Sequence, residues 1–228
     1  MKKGQVLLLG LVVCFAVGSA SAAILGTATA SLTGEFTDGT ITLGGVRDVT
    51  GYGGFYMLNK TAGTGQGTLI PNGQIYAVCI DLPQNSIDSS YTYDVRMPDE
   101  APITTVPPMG AARAAQLSEL WGRYFSQAAS DPQKAEAFSA AVWEIVFETD
   151  AARDVDSGAG FYCTGLAPGM DTLANSWLAS LNGTGPMADL RALTSCDYQD
   201  FVTVIPEPAT LSLLGLGALA MLRRRDHE

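Results

Sequence analysis

Two hydrophobic rhythms divide the chain. Residues 24–106 alternate apolar and polar positions over short stretches and are rich in glycine and threonine, which reads as β-strand. Asp38-Gly39, set between Glu35-Phe36-Thr37 and Thr40-Ile41-Thr42-Leu43, predicts a two-residue hairpin. Gly53 to Leu58 predicts a strand, Asn59 to Gly67 a polar loop, and Asn72-Gly73 a turn into the strand Gln74 to Leu82. In that strand Tyr76, Val78, Ile80 and Leu82 share one face, and Ile75, Ala77, Cys79 and Asp81 the other. Tyr91 to Met97 reads as the next strand, followed by a link through Pro107-Pro108.

From residue 109 to 182 the period changes to that of a helix. Leu117, Leu120, Trp121, Tyr124 and Ala128 fall on one stripe. Asp131-Pro132 supplies an N-cap and a proline in the first turn of a second helix, whose apolar stripe is Phe138, Val142, Ile145 and Val146. A glycine-bearing loop leads to a third helix with Met170, Leu173, Ala174, Trp177, Leu178 and Leu181, stopped at Asn182-Gly183. Tyr198 to Val204 reads as a last strand. The expected fold is α+β: an antiparallel, barrel-like sheet with an inserted cluster of three helices. Trp121, Trp143 and Trp177 occupy apolar positions on the three helices and predict a shared core.

The two ends follow a different logic. Lys2 and Lys3, the apolar run Val6 to Val17 and the Ala20-Ser21-Ala22 site read as a signal peptide over residues 1–22, cleaved by signal peptidase before Ala23. At the other end, Pro206-Glu207-Pro208 precedes an apolar run from Leu211 to Leu222 that ends on Arg223, Arg224 and Arg225. Counted from the residue after Pro208, about 14 apolar or small residues make about 21 Å of helix. Against a bilayer core of about 30 Å this is a short transmembrane helix, with the arginines on the cytoplasmic side of the membrane. That leaves residues 23–203 as an exported ectodomain.

The ectodomain is acidic. It carries 8 Lys and Arg against 20 Asp and Glu, a net charge of −12. Such a surface repels nucleic-acid phosphates, so no nucleic-acid partner is expected. The chain's one histidine, His227, lies in the tail, which removes histidine catalysis and histidine-ligated metal from the ectodomain. Three cysteines remain: Cys79, Cys163 and Cys196. In an oxidising compartment two of them can pair. The favoured bridge is Cys163–Cys196, worth roughly 3–4 kcal/mol by loop closure, with Cys79 left as a thiol; the other two pairings stay open.

Two resemblances follow from these residues. The order Pro206-Glu207-Pro208, short apolar helix, Arg223-Arg224-Arg225 resembles the PEP-CTERM sorting signal of bacteria. That resemblance implies processing by exosortase, a membrane protease, and delivery to the cell envelope or surface, with release to the extracellular matrix as one fate. Tyr76-Ala77-Val78-Cys79-Ile80-Asp81-Leu82 resembles the cysteine strand of bacterial thioester domains. Ala137-Phe138-Ser139-Ala140-Ala141-Val142-Trp143-Glu144-Ile145 is similar to their second motif. Gly53-Gly54-Phe55, Ala115-Gln116-Leu117, Ser157 to Tyr162 and Leu173 to Leu178 extend the likeness over about residues 50–182. In that family a cysteine thiol condenses with a glutamine carboxamide, and the product acylates a target surface. Here the cysteine is Cys79, but Ser139 stands in place of the glutamine and has no acyl group to give. The other reading of Cys79 is a small buried hydrophobe or a disulfide partner.

The remaining candidates are weaker. Glu144 and Glu148, four residues apart on one helix face, are expected to be solvated. Asp154, Asp156 and Ser157 lack the full ligand spacing of a calcium loop. No cofactor is expected. The sequence therefore reads as an exported, exosortase-processed protein of the cell surface or biofilm matrix. Its expected role is structural or adhesive rather than enzymatic, with no working thioester and extracellular polysaccharide as a candidate partner. The alternatives are a secreted polysaccharide-acting enzyme and a non-covalent binding module.

Overall fold

A computed structural model describes residues 23–46, 48–104, 106–150 and 152–206. The expected signal peptide, with Ala20 and Ala22, and the tail from Glu207 through Arg225 lie outside the described residues. Among the described residues no helix is long and apolar enough to cross a membrane.

The β half and the last strands close a six-stranded antiparallel barrel. Its members are β1 (Gly26–Phe36), β4 (Phe55–Gly65), β5 (Gly73–Cys79), β6 (Tyr91–Arg96), β8 (Leu190–Thr194) and β9 (Phe201–Val204). The order round the barrel is β1-β4-β5-β9-β8-β6, and β6 pairs back onto β1. Closure leaves no free edge among these six strands. Small inward residues, Ala28, Ala30, Ala77 and Ala192, are fully or almost fully buried and let the strands converge. Beside the barrel stands a three-stranded sheet in the order β3 (Val49–Tyr52), β2 (Thr40–Gly44), β7 (Tyr162–Thr164).

Between β6 and β8 the chain makes α1 (Gly110–Ala128), α2 (Pro132–Phe147) and α3 (Met170–Ser180). The Asp131 carboxylate caps α2 as expected, accepting from the backbone N–H of Gln133 at 2.9 Å and of Lys134 at 3.3 Å. Helix α2 is more than an amphipathic stripe. Every residue from Ala135 to Phe147 is buried, because α2 packs against α1, α3 and the ends of β4 and β5. Trp121, Trp143 and Trp177 are all core residues. Trp121 stacks on Phe125 with ring centroids 4.8 Å apart, and Tyr124 stacks on Trp177 at 5.1 Å.

Three expectations change. The strands flanking Asp38-Gly39 do not form a hairpin: β1 pairs with β4 and β6, and β2 with β3 and β7. The corner's donors go to α2 instead. Glu136 Oε1 accepts from Thr37 Oγ1 at 2.7 Å, from Asp38 N–H at 2.7 Å and from Gly39 N–H at 2.8 Å. Asn59 to Gly65 is strand, not loop, because it pairs along β1 from Ser31 back to Gly26. Strand β8 was not foreseen. It is buried at every position, Arg191 included, whose guanidinium is held by Gln66, Asp189 and the Leu190 carbonyl.

Candidate functional site

Strand β5 ends at Cys79, and β4 begins after the tight corner Gly53-Gly54. Tyr56 pairs with Ala77, so Gly54 and Cys79 each lie two residues further along facing strands. Helix α2 docks on this junction through two side chains one turn apart. Ser139 donates its hydroxyl to the Gly54 carbonyl at 2.6 Å, and Trp143 donates its indole N–H to the Cys79 carbonyl at 2.9 Å. Gly54 has φ 96°, and a Cβ there would stand 2.4 Å from the Phe36 carbonyl oxygen, so the corner requires glycine.

The fold thus brings Cys79 and Ser139 to one junction, both buried. Their polar atoms have different partners. The Cys79 sulfur accepts from the Asp81 N–H at 3.3 Å, while the Ser139 hydroxyl is spent on Gly54. Burial pushes the Cys79 thiol far above its ordinary range. The Asp81 N–H and the Trp143 indole oppose that shift, and the carboxylates of Asp81 and Asp200 add to it. A thiol held protonated in this way is a poor nucleophile. Asp200 is itself buried and raised to about 7, although Ser195 N–H at 2.7 Å and Ile103 N–H at 2.9 Å pull the other way.

Cys79 and Trp143 form part of the lining of a cavity of about 300 Å³. Leu43, Tyr52 and Tyr56 contribute to its apolar lining, and Glu35, Gln84 and Gln199 to its polar lining. Burial, with Cys79 and Glu35 nearby, raises the Tyr56 phenol well above its usual range, so it stays neutral. Gln199 is 6 % exposed. Its side-chain N–H donates to the backbone carbonyls of Asp81 at 3.4 Å and Gln84 at 3.2 Å. The side-chain N–H of Gln84 donates to the Cys196 carbonyl at 3.2 Å. Gln84, Gln199 and Tyr52 were not singled out by sequence reasoning, since none belongs to a motif. The one signal was Tyr52 beside the Gly53-Gly54 corner.

Elsewhere the expected sites become structural. Cys163 and Cys196 are both free thiols, so the expected bridge is not formed in this structure. Cys163 is buried in β7 of the small sheet, while Cys196 is exposed beyond β8 of the barrel. Burial pushes the Cys163 thiol up to about 12. Glu144 and Glu148 are buried rather than solvated. Glu144 accepts from Asp154 N–H at 3.0 Å. Burial raises it to about 7, against that hydrogen bond and with the neighbouring Glu148 adding to the shift. Glu148 is also desolvated, but backbone N–H groups of Asp150, Phe161, Gly160 and Thr149 outweigh that cost and lower its pKa. The Asp154 carboxylate is occupied by Asp156 N–H, Ser157 Oγ and Asn175 Nδ2 at 3.2, 3.1 and 2.8 Å. Among the described residues no group of three or more His, Cys, Asp or Glu side chains is placed to hold a metal.

The tail is anchored directly to the barrel. Val204 pairs with Leu190, Ile205 N–H donates to the Asp189 carbonyl at 2.8 Å, and Pro206 is exposed immediately beyond. Residues 204–225 match the PEP-CTERM protein-sorting motif. The motif implies export, sorting to the cell surface and exosortase as the processing partner. It starts within the last barrel strand, so no linker separates the barrel from Pro206. No curated protein and no solved structure matches the chain.

Proposed function

We propose that the chain is an exosortase-processed surface or matrix protein whose ectodomain has a structural or adhesive role without an internal thioester. The PEP-CTERM motif supports the processing. The observation that carries the rest is the junction of β5 and α2. The position that would supply an acyl group is Ser139, its hydroxyl is bound to a backbone carbonyl, and the Cys79 thiol at the same junction is buried and held protonated. On this reading the thioester-like layout survives as packing, and contact with the surroundings is non-covalent. Signal peptidase removes residues 1–22. The C-terminal helix then holds the chain in the cytoplasmic membrane until exosortase acts.

Mass spectrometry of protein from the host's surface fraction tests both halves. The expected protein lacks residues 1–22 and Leu211 to Arg225, shows no deficit of one ammonia, and takes up no methylamine. A surface form that keeps Leu211 to Arg225 would leave a plain membrane anchor. An ammonia-deficient form that incorporates methylamine would make the protein a covalent adhesin.

A further inference from the structure

Large exposed apolar side chains gather at one end of the barrel. Among the described residues they are Ile24, Leu69, Met97 and Met187, with Tyr52 and Tyr162 elsewhere. Tyr52 and Tyr162 belong to the three-stranded sheet, whose β2 and β3 connect the Phe36 end of β1 to the Phe55 end of β4. The other four lie at the opposite end, where β1 and β8 begin and β4 and β6 finish. There Gly26 pairs with both Gly65 and Val95, and Arg96 pairs with Ala192. Leu25 N–H donates to the Val95 carbonyl at 2.8 Å, and Gln66 N–H to the Leu25 carbonyl at 2.9 Å. The Arg191 guanidinium then joins Gln66 to Asp189 across the same end. Met97 and Met187 line one groove of about 290 Å³ together with Ala114, Ala188 and Leu190. The tail leaves from this rim: Val204 pairs with Leu190, Ile205 N–H donates to the Asp189 carbonyl at 2.8 Å, and Pro206 is exposed beyond.

Reach and charge together select what this rim faces. Leu211, where the apolar run begins, follows Pro206 by five residues, at most about 18 Å of extended chain. The headgroup layer takes about 6 Å of that, so this end stands no more than about 12 Å from the headgroups even at full stretch. A tether so short keeps the local concentration of lipid at the rim high, and weak apolar contacts suffice to hold it. The expected signal peptide joins the same rim at Ala23. Across residues 23–25, 68–72, 97–98 and 186–189 the only exposed charged side chain is Asp189, and it is ion-paired with Arg191. Asp99 and Glu100 beside the rim are half-buried. These segments expose no lysine or arginine to recruit anionic lipid. Apolar side chains set in uncharged surroundings suit a zwitterionic headgroup layer, into which they bury. We propose that this end of the barrel seats on the extracytoplasmic face of the membrane, with Ile24, Leu69, Met97 and Met187 among zwitterionic headgroups, until the tail is cut. The seat holds Pro206 at the bilayer surface, within reach of a membrane protease. The proposal rests on the membrane-anchored reading of the tail above and gives the ectodomain an orientation.

The full-length chain, exported by a bacterial host without exosortase, is reconstituted into phosphatidylcholine vesicles, and flotation reads insertion of the tail. Serine replaces Cys14 and Cys196, while Cys79 and Cys163 are buried and escape labelling. Leu69→Cys, Met187→Cys and, as the far-end control, Tyr162→Cys each carry one fluorophore. All three positions are exposed, and circular dichroism checks that each variant is folded. A nitroxide-bearing lipid quenches from within the bilayer, and iodide, present on both sides, quenches from water. The labels at 69 and 187 are expected to lose most of their emission to the nitroxide lipid and little to iodide, and the label at 162 the reverse. A chain that floats, with labels at 69 and 187 responding as the one at 162 does, overturns the seat and leaves the anchored reading standing. Labels at 69 and 187 shielded from both quenchers mean that the tail or a second copy covers the rim, and this also overturns the seat. A chain that does not float overturns the anchored reading, and the seat with it.

Discussion

The indole N–H of Trp143 donates to the backbone carbonyl of Cys79 at 2.9 Å, tying the middle of α2 to the last residue of β5. With the Ser139–Gly54 hydrogen bond one turn earlier, it fixes the helical cluster on two facing strands of the barrel. The same ring packs edge-on against Phe161, centroids 6.0 Å apart, so it also joins the barrel to the loop that leads into β7. Trp143→Phe keeps an aromatic ring but removes the donor. Leaving the buried carbonyl without it is expected to cost about 1–3 kcal/mol. Urea unfolding should show the loss as a lower midpoint with the slope unchanged.

Glu136 sets where the chain leaves the barrel. One of its oxygens accepts three hydrogen bonds from the Thr37–Gly39 corner, and this replaces the hairpin that Asp38-Gly39 would otherwise favour. Glu136→Ala strips the corner of its acceptor and is expected to cost about 3 kcal/mol, while Glu136→Gln keeps a carbonyl oxygen there and is expected to cost about 1 kcal/mol. Hydrogen exchange of the Asp38 and Gly39 amides should rise sharply in the alanine variant and little in the glutamine variant.

The corner shows why the sequence was legible in some places and silent in others. Signals complete within a few residues survived: the Asp131-Pro132 cap and the Leu117–Leu120–Trp121 stripe stand where local rules put them, and the strand expected over Gln74 to Leu82 forms as Gly73–Cys79, three residues short at its end. Signals that depend on a distant partner did not. Asp38-Gly39 obeys a helix nearly a hundred residues away. Asn59 to Gly65 is polar enough for a loop, and only pairing with β1 makes it strand. Strand β8 hides because Arg191 breaks its apolar pattern; its guanidinium is hydrogen-bonded to Gln66 from another part of the fold and ion-paired with Asp189. Glu144 and Glu148 carry the spacing of a solvated face, yet the loop after α2 folds back over them. The tail was readable because a sorting motif is recognised as sequence. The Gln84–Gln199 contact beside the cavity was not, because the two residues meet only in the folded chain.

Glu144 should make stability fall as pH rises. Burial lifts its carboxyl from the ordinary 4.5 to about 7, and Oε2 is buried without a partner. A group raised in the folded state binds its proton more tightly there than in the unfolded chain. Its contribution is therefore complete below about pH 4.5 and is lost as pH rises through about 7, at up to about 1.4 kcal/mol per pH unit. Glu144→Gln keeps an acceptor for Asp154 N–H and cannot ionise. The variant is expected to match the wild type near pH 4.5, to exceed it at pH 8, and to flatten the slope between; an unchanged slope would place the titration elsewhere. Thermal melts across this window read the difference.

Gly158 is a position where one methyl group should disrupt a whole loop. Glu148 Oε1 accepts from Asp150 N–H at 2.6 Å and also from Thr149 N–H, while Oε2 accepts from Phe161 N–H at 3.2 Å. Gly160 N–H reaches both oxygens at 3.3 Å. The loop from 149 to 161 therefore closes on one buried carboxylate. A Cβ at Gly158 would lie 1.9 Å from Glu148 Oε2 and 2.4 Å from the Phe161 carbonyl oxygen, so the carboxylate has to leave its donors. Gly158→Ala is expected to cost about 2–4 kcal/mol. Gly39→Ala, where an added Cβ meets nothing within 4 Å, should cost far less and serves as the control. The decisive measurement is the double variant. If Gly158→Ala acts by displacing Glu148, adding it to Glu148→Ala should cost clearly less than the sum of the two single changes. A simple sum would mean the alanine acts through the Phe161 backbone instead.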